Sequence, residues 1–96
     1  MENTPYTLLH DAAARRYFFE IDGHRAYIEY EERPGALALT HTIVPEELRG
    51  GGIAAALTQA VLEEVRTRGL RIVPECSYVV RYIERHPEWQ EIVARE

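Results

Sequence analysis

The feature that most constrains the fold is a run of three glycines between an apolar strand pattern and a long amphipathic helix pattern. Residues 44–57 read Val-Pro-Glu-Glu-Leu-Arg-Gly-Gly-Gly-Ile-Ala-Ala-Ala-Leu. Glycine lets a backbone approach an anion closely, and the first turn of a helix presents unpaired N–H groups at its positive end. The segment therefore predicts a binding site for a phosphate or pyrophosphate group.

The apolar pattern of the first half predicts three antiparallel strands. Residues 1–14 show no clear period, and we expect them to form a loosely ordered lead-in. Beyond them, apolar and polar side chains alternate, as they do in strands with one buried face. Asp22-Gly23 and Arg33-Pro34-Gly35 are turn sequences that would join neighbouring strands. The predicted strands cover residues 16–21, 24–32 and 36–44, with Leu37, Leu39, His41 and Ile43 on one face of the third.

The second half begins with a helix and a short strand. Apolar residues at helical spacing predict the helix over residues 49–68. Gly69 is suited to the left-handed conformation that ends a helix. Residues 70–73 predict a strand that runs parallel to the third strand.

A second helical pattern closes the chain. It begins at Cys76 and Ser77, with Ser77 as the expected N-cap, and Pro87 ends it. The order is β-β-β-α-β-α, without repeats or linkers. We therefore predict one α/β (α+β) domain over residues 1–96, built on a mixed sheet.

Composition excludes several functional classes. The formal charge of −5 argues against a general nucleic-acid binder, although it is compatible with an amine-bearing partner. All 11 basic residues are arginine, and the lack of lysine excludes a Walker-type nucleotide-binding loop. No apolar run is long enough to span a bilayer, and no metal-ligand spacing is recognisable.

The single cysteine and the first residues bear on location and assembly. One thiol excludes an internal disulfide and fits a reducing compartment. The chain start lacks a basic segment followed by an apolar core, so we expect a cytoplasmic protein. An exposed edge of the meander would permit weak self-association, which leaves both a monomer and a weak dimer open.

The glycine run has two interpretations besides a pyrophosphate loop. It can be a helix start without a ligand, but three consecutive glycines carry an entropic cost that a simple connection does not require. It also matches a dinucleotide fingerprint, Gly50-x-Gly52-x-x-Ala55, with Glu75 at the spacing of the ribose-binding acid. Residues 45–49 separate the strand from the glycines, and the chain is too short for the two halves of such a fold. Both facts count against the fingerprint.

Four motifs occur in order along the chain: His41-Thr42-x-Val44-Pro45, Arg49-Gly50-x-Gly52, Pro74-x-Cys76-Ser77-Tyr78-Val79 and Arg85-His86-Pro87-Glu88. Together they resemble the motifs of the GCN5-related N-acetyltransferases, and in particular those of a minimal acetyltransferase-like family that includes human N-acetyltransferase domain-containing protein 1 and bacterial YjdJ-type proteins. The resemblance extends over about residues 16–93. It implies a trimmed acetyltransferase fold that binds acetyl-CoA or coenzyme A and transfers acetyl to an amine of a small molecule or protein.

The same resemblance implies how the coenzyme is held. Backbone amides after the arginine would ring the pyrophosphate at the helix N-terminus, with Arg49 in support. The preceding strand would splay from its neighbour, so that free backbone groups at Ile43 and Val44 pair with the pantetheine arm. The implied cofactor-binding residues are Ile43, Val44, Arg49, Gly50, Gly51, Gly52, Ile53, Ala54 and Ala55.

Cys76 is the first candidate for catalysis. It follows a strand and begins a helix, and a helix N-terminus stabilises a thiolate. It can protonate the departing coenzyme thiolate or act as a nucleophile that forms an acetyl-cysteine. A small buried packing residue is the alternative.

His41 and Tyr78 are the other candidates. A histidine in an apolar stripe is commonly a hydrogen-bonded core residue, but His41 can also serve as a general base or orient Cys76 from the neighbouring strand. Tyr78 can donate a proton or line the acyl pocket. The sequence therefore predicts an N-acetyltransferase, and a non-catalytic acyl-CoA-binding or interaction module remains the alternative because so short a chain has little material to enclose an acceptor.

Overall fold

The computed structural model describes residues 6–94 and consists of a five-stranded mixed sheet with two α-helices. Strands β1 to β4 are antiparallel and β5 is parallel to β4. Two 3₁₀ segments, Glu46–Leu48 and Pro87–Ile92, flank this frame. The prediction of a single α+β domain with a mixed sheet is confirmed. The elements are β1 Leu9–Asp11, β2 Arg16–Ile21, β3 His24–Arg33, β4 Ala36–Ile43, α1 Ile53–Thr67, β5 Arg71–Pro74 and α2 Ser77–Arg85.

The first strand corrects the predicted lead-in. β1 pairs antiparallel with β2, so the expectation of irregular structure over residues 1–14 is wrong at Leu9–Asp11. Three residues are too few to show an alternating pattern, and side-chain contacts help to fix the strand. The ring of His10 stacks on that of Tyr17 with 4.1 Å between centroids. Residues 1–5 lie outside the described part of the chain.

The apolar core lies on one face of the sheet. Strand residues of that face pack against the buried stripes of α1 and α2 and against Trp89 and Ile92 of the final 3₁₀ segment. Burying these side chains supplies the main stabilisation of a domain this small. Members from the sheet are Tyr17, Phe19, Ala26, Ile28, Tyr30, Leu37, Leu39 and Ile72, and members from the helices are Ile53, Leu57, Val61, Leu62, Val65, Val79, Tyr82 and Ile83.

At one point of the β3–β4 pairing, β4 has one extra residue. The register pairs Glu29 with His41 and Tyr30 with Leu39. Thr40 is left without a partner on β3, and its hydroxyl donates to the carbonyl of Glu29 at 3.1 Å. An extra residue of this kind, a β-bulge, reverses the alternation of faces along a strand.

The bulge overturns the predicted face of β4. We expected His41 and Ile43 to share a face with Leu37 and Leu39, but beyond the bulge it is Thr42 that lies opposite the buried Ile28. Ile43 pairs with Tyr27 on the other face and is 43% exposed. An alternating hydrophobic pattern assumes a period of two, so it cannot reveal an inserted residue.

The starts of both helices differ from the prediction. Gly50 and Gly52 have φ of 93° and 72°, which are not helical angles, so α1 begins at Ile53 and not at residue 49. The N-cap of α2 is Cys76 and not Ser77. Gly69 has φ of 73°, which confirms the left-handed end predicted for α1.

Leu57→Ala tests the core under α1. Leu57 is 0% exposed, and the cavity left by its side chain should lower the free energy of unfolding by about 2–5 kcal/mol. Val80→Ala on α2 is the control, because Val80 is 36% exposed and its loss should change stability by less than about 0.5 kcal/mol. Urea unfolding followed by circular dichroism measures both. Equal effects would contradict the assignment of this face as the core.

Candidate functional site

A cleft of about 280 Å³ lies where the glycine loop, the end of β4 and the start of α2 meet. Most of the predicted coenzyme-binding residues face it, together with one of the three predicted catalytic residues. The lining residues are Val44, Leu48, Arg49, Gly50, Gly52, Ile53, Ala54, Ala55 and Tyr78.

The first turn of α1 presents donors to this cleft. The backbone bond from Ala56 N–H to the Gly52 carbonyl, 3.0 Å, is the first of the helix. The N–H groups of Ile53, Ala54 and Ala55 precede it, no side chain caps them, and no acidic residue lies in the first turn. Such a helix start favours an anion through its dipole and through its unpaired N–H groups.

The glycine loop gives an anion access to those donors. A Cβ built on Gly50 or Gly52 would meet nothing within 4 Å, so both face open space. Their positive φ angles are ones that other residues adopt only with strain. The two glycines therefore leave the loop backbone uncovered by side chains.

Arg49 lies at the mouth of the cleft and secures the loop. Its Nε donates to the carbonyl of Val44 at 3.2 Å, across the 3₁₀ turn Glu46–Leu48. This bond ties the loop to the residue that follows β4. The guanidinium also adds a positive charge to the lining, where no carboxylate stands.

The sheet opens beside the cleft. β4 and β5 pair from Ala36 with Arg71 to Leu39 with Pro74 and no further. The carbonyl of Leu39 accepts from the N–H groups of both Glu75 and Cys76, at 3.1 and 3.0 Å. The rest of β4, residues 40–43, continues without a partner on its β5 side among residues 6–94. This is the splay that the resemblance implied.

Cys76 stands in the opening between the two strands. It is half-buried, and its Sγ lies 3.4 Å from Oγ1 of Thr42. As N-cap of α2 it has extended backbone angles, φ −82° and ψ 133°. The thiol is therefore placed between a β4 hydroxyl and the start of a helix.

The surroundings of the thiol favour its ionised form. Burial acts to raise the pKa of Cys76, but hydrogen bonding from Thr42 and from the backbone of Val79 and Tyr78 outweighs it. The net result is a pKa below the ordinary value of a thiol. Donors at a helix N-terminus stabilise a thiolate, as the sequence predicted for this position.

Tyr78 differs from Cys76 in its expected protonation. It is half-buried, and burial raises the pKa of its hydroxyl, an effect that the charge of Arg85 only partly opposes. Tyr78 therefore keeps its proton at neutral pH. It is a neutral hydrogen-bond donor in the lining of the cleft.

His41 is not where the sequence placed it. Its side chain is 64% exposed, and Nδ1 lies 3.3 Å from Oε1 of Glu29 and 3.1 Å from Oγ1 of Thr40. The expectation of a core histidine is wrong, because the bulge turns it to the face away from α1. The side chain that contacts Cys76 from β4 is Thr42.

Thr42 and Leu48 are the site residues that sequence reasoning missed. Thr42 stands in the first family motif beside His41, and this position was the available signal. Leu48 is buried and lines the cleft, but an apolar residue between charged ones gives no functional signal. Ile43 and Gly51, both predicted to bind the coenzyme, do not line the cleft.

The described residues show neither a metal site nor a membrane-spanning helix. Within residues 6–94, no group of three or more His, Cys, Asp and Glu side chains is arranged to hold a metal ion. In the same part of the chain, neither helix has the length and hydropathy that crossing a membrane requires.

The chain is similar in sequence to known proteins over most of its length. Residues 16–92 match the model of the GCN5-related N-acetyl-transferase family. Protein NATD1 of Gallus gallus is 32% identical over 89 residues, which are 90% of this chain and 81% of that protein. Protein NATD1 of Homo sapiens is also 32% identical over 89 residues, covering 90% of this chain and 79% of the human protein.

The fold is also similar to a solved structure. The NMR solution structure of a GCN5-like protein from Staphylococcus aureus matches with a TM-score of 0.71 at 23% sequence identity. The match covers 98% of this chain and 93% of that one, and it supports the fold. The match to the family model and the identity to the NATD1 proteins show that this chain belongs to the GCN5-related N-acetyltransferase family.

Proposed function

We propose that this protein binds acetyl-CoA in the cleft at the start of α1 and transfers the acetyl group to an amine. The observation that carries the proposal is the position of an uncapped helix start beside a stretch of β4 that has no partner on its β5 side among the described residues. The helix start offers N–H donors to a diphosphate. The stretch of β4 offers backbone groups to an extended arm that contains amides. Coenzyme A contains both parts.

The residues present fit such a ligand. The lining of the cleft includes three backbone N–H groups and one guanidinium, and it contains no carboxylate. The two open glycines let phosphate oxygens approach the backbone. Val44 and Ile53 add apolar surface for the rest of the molecule.

The side chains of the site have separate roles in this proposal. Acetyl-CoA, when bound, supplies an acetyl group activated as a thioester. Tyr78 is protonated at neutral pH and donates to a leaving group. Cys76 either attacks as a thiolate or, as a thiol, returns a proton. His41, on the opposite face of β4, is the base available to an amine that approaches from that side.

A second candidate is a non-catalytic module that binds acyl-CoA without an acceptor. The specific observation behind it is the exposure of the face opposite the core, where Leu9 and Ile43 are 39% and 43% exposed. An acceptor on that face would gain little burial from the described residues. Turnover separates the two candidates, whereas coenzyme binding is common to both.

Gly52→Ala tests the anion site, and Gly69→Ala is its matched control. The two glycines flank α1 with φ of 72° and 73°, and neither has a neighbour that a Cβ would strike. Each substitution should cost about 1–2 kcal/mol of stability through backbone strain. Only Gly52→Ala should also weaken coenzyme A binding, by about tenfold, which corresponds to about 1.4 kcal/mol.

Thermal unfolding with and without coenzyme A measures this difference. At a ligand concentration of about 100 times Kd, binding to the native state raises Tm by on the order of 10 °C in a domain of this size. The unmodified protein and Gly69→Ala should show this rise. Its absence from the unmodified protein at millimolar coenzyme A would remove both candidate functions.

The pH dependence of Cys76 alkylation tests the state of the thiol. Because the pKa of Cys76 is lowered in the folded chain, its reaction with iodoacetamide should reach half-maximal rate at lower pH than in urea. Between those two midpoints the folded state binds fewer protons than the unfolded state, so stability should rise with pH there. Cys76→Ala should abolish that rise. Identical midpoints in native and unfolded protein would refute the lowered pKa.

Cys76→Ala also separates the enzyme from the binding module. The variant should bind coenzyme A as the unmodified protein does but lose acetyl transfer to a panel of amines by at least about a hundredfold, the usual range for proton transfer. Mass spectrometry after incubation with acetyl-CoA tests the nucleophile role. An acetyl adduct on Cys76 is the expected sign, and transfer that survives the substitution would reduce Cys76 to a packing residue.

A further inference from the structure

Thr42 is the one β4 side chain seen in contact with the Cys76 sulfur, at 3.4 Å between Oγ1 and Sγ, within the described residues. It reaches the sulfur only because of the bulge at Thr40, which moves Thr42 to the core face opposite Ile28. It lies on the part of β4 that has no β5 partner. The contact is therefore built by the irregularity of the sheet and not by regular pairing.

A hydroxyl is suited to a sulfur that gains and loses a proton. With the thiol protonated, S–H donates to Oγ1 of Thr42; once the proton has left, the Thr42 hydroxyl can rotate and donate to the thiolate. In this exchange the S–H bond of Cys76 is the bond that breaks, and the hydroxyl of Thr42 keeps its proton. A valine, which has the same shape, can do neither.

We propose that Thr42 is a positioning residue for Cys76, which holds the sulfur at the open edge of β4 and reverses its hydrogen bond when the thiol ionises. The proposal deepens the function proposed above and rests on it, since it matters for acetyl transfer only if Cys76 takes part. Thr42 itself does not touch the acetyl group.

The backbone N–H groups of Val79, Tyr78 and Thr42 also donate to the sulfur, but an N–H group cannot reverse its hydrogen bond as a hydroxyl can. The ionisable side chains nearby do not take this role either. On β4, His41 lies on the opposite face beside Glu29. Glu75, which precedes the cysteine, is paired with Arg33 at 3.2 Å. On α2, Tyr78 stays protonated because burial raises its pKa.

The test compares Thr42→Val and Thr42→Ser in protein without coenzyme. Thr42→Val keeps the shape and removes the hydroxyl, so the midpoint of the alkylation profile should move to higher pH and the rate at neutral pH should fall several-fold. Thr42→Ser restores the hydroxyl and should return the midpoint to that of the unmodified protein. Thr58→Val is the control, because Thr58 is buried and its hydroxyl bonds to the Ala54 carbonyl at 2.8 Å, away from the thiol.

Each outcome decides the proposal. A rise in midpoint for Thr42→Val alone supports it. A profile for Thr42→Val equal to that of the unmodified protein overturns it, and so does a Thr42→Ser variant that behaves like valine, since the effect would then come from packing. Coenzyme A binding, followed by thermal shift in the same variants, is a separate readout. Its failure in the unmodified protein would remove the proposed function but leave the thiol result interpretable.

Discussion

The arrangement of the site depends on one extra residue in a strand. Thr40 has no partner on β3, and its hydroxyl donates to the carbonyl of Glu29. From that point the faces of β4 are exchanged, so that Thr42 turns toward Cys76 and His41 turns to the opposite side. A β-bulge commonly redirects a side chain in this way next to a functional site.

The second constraint is the anchoring of α1 against the sheet. Ile53 and Leu57 are buried at its start, whereas the glycines just before it are exposed. The core thus fixes the direction of the helix, and the loop leaves its N-terminus accessible. Stability and access to the helix N-terminus therefore come from adjacent residues with opposite burial.

Most of the strands and helices could be predicted from the sequence because they follow repeating hydrophobic patterns. Alternation placed β2 to β4, helical spacing placed α1, and Gly69 marked its end. Strand β1 was missed because three residues show no period, and His41 was misplaced because an inserted residue breaks the period of two. The glycine loop was recognisable from composition, but Thr42 became visible only when β4 and the start of α2 were brought together.

The uncapped first turn of α1 has a consequence for how any anion would enter. In most helices a side chain occupies those N–H groups and would have to be displaced. Within residues 6–94 no side chain caps the first turn of α1, so no capping rotamer has to change before an anion binds. The helix start is thus preorganised for an anion. We expect its encounter with a doubly charged pyrophosphate group to be limited by diffusion and desolvation and not by a conformational step.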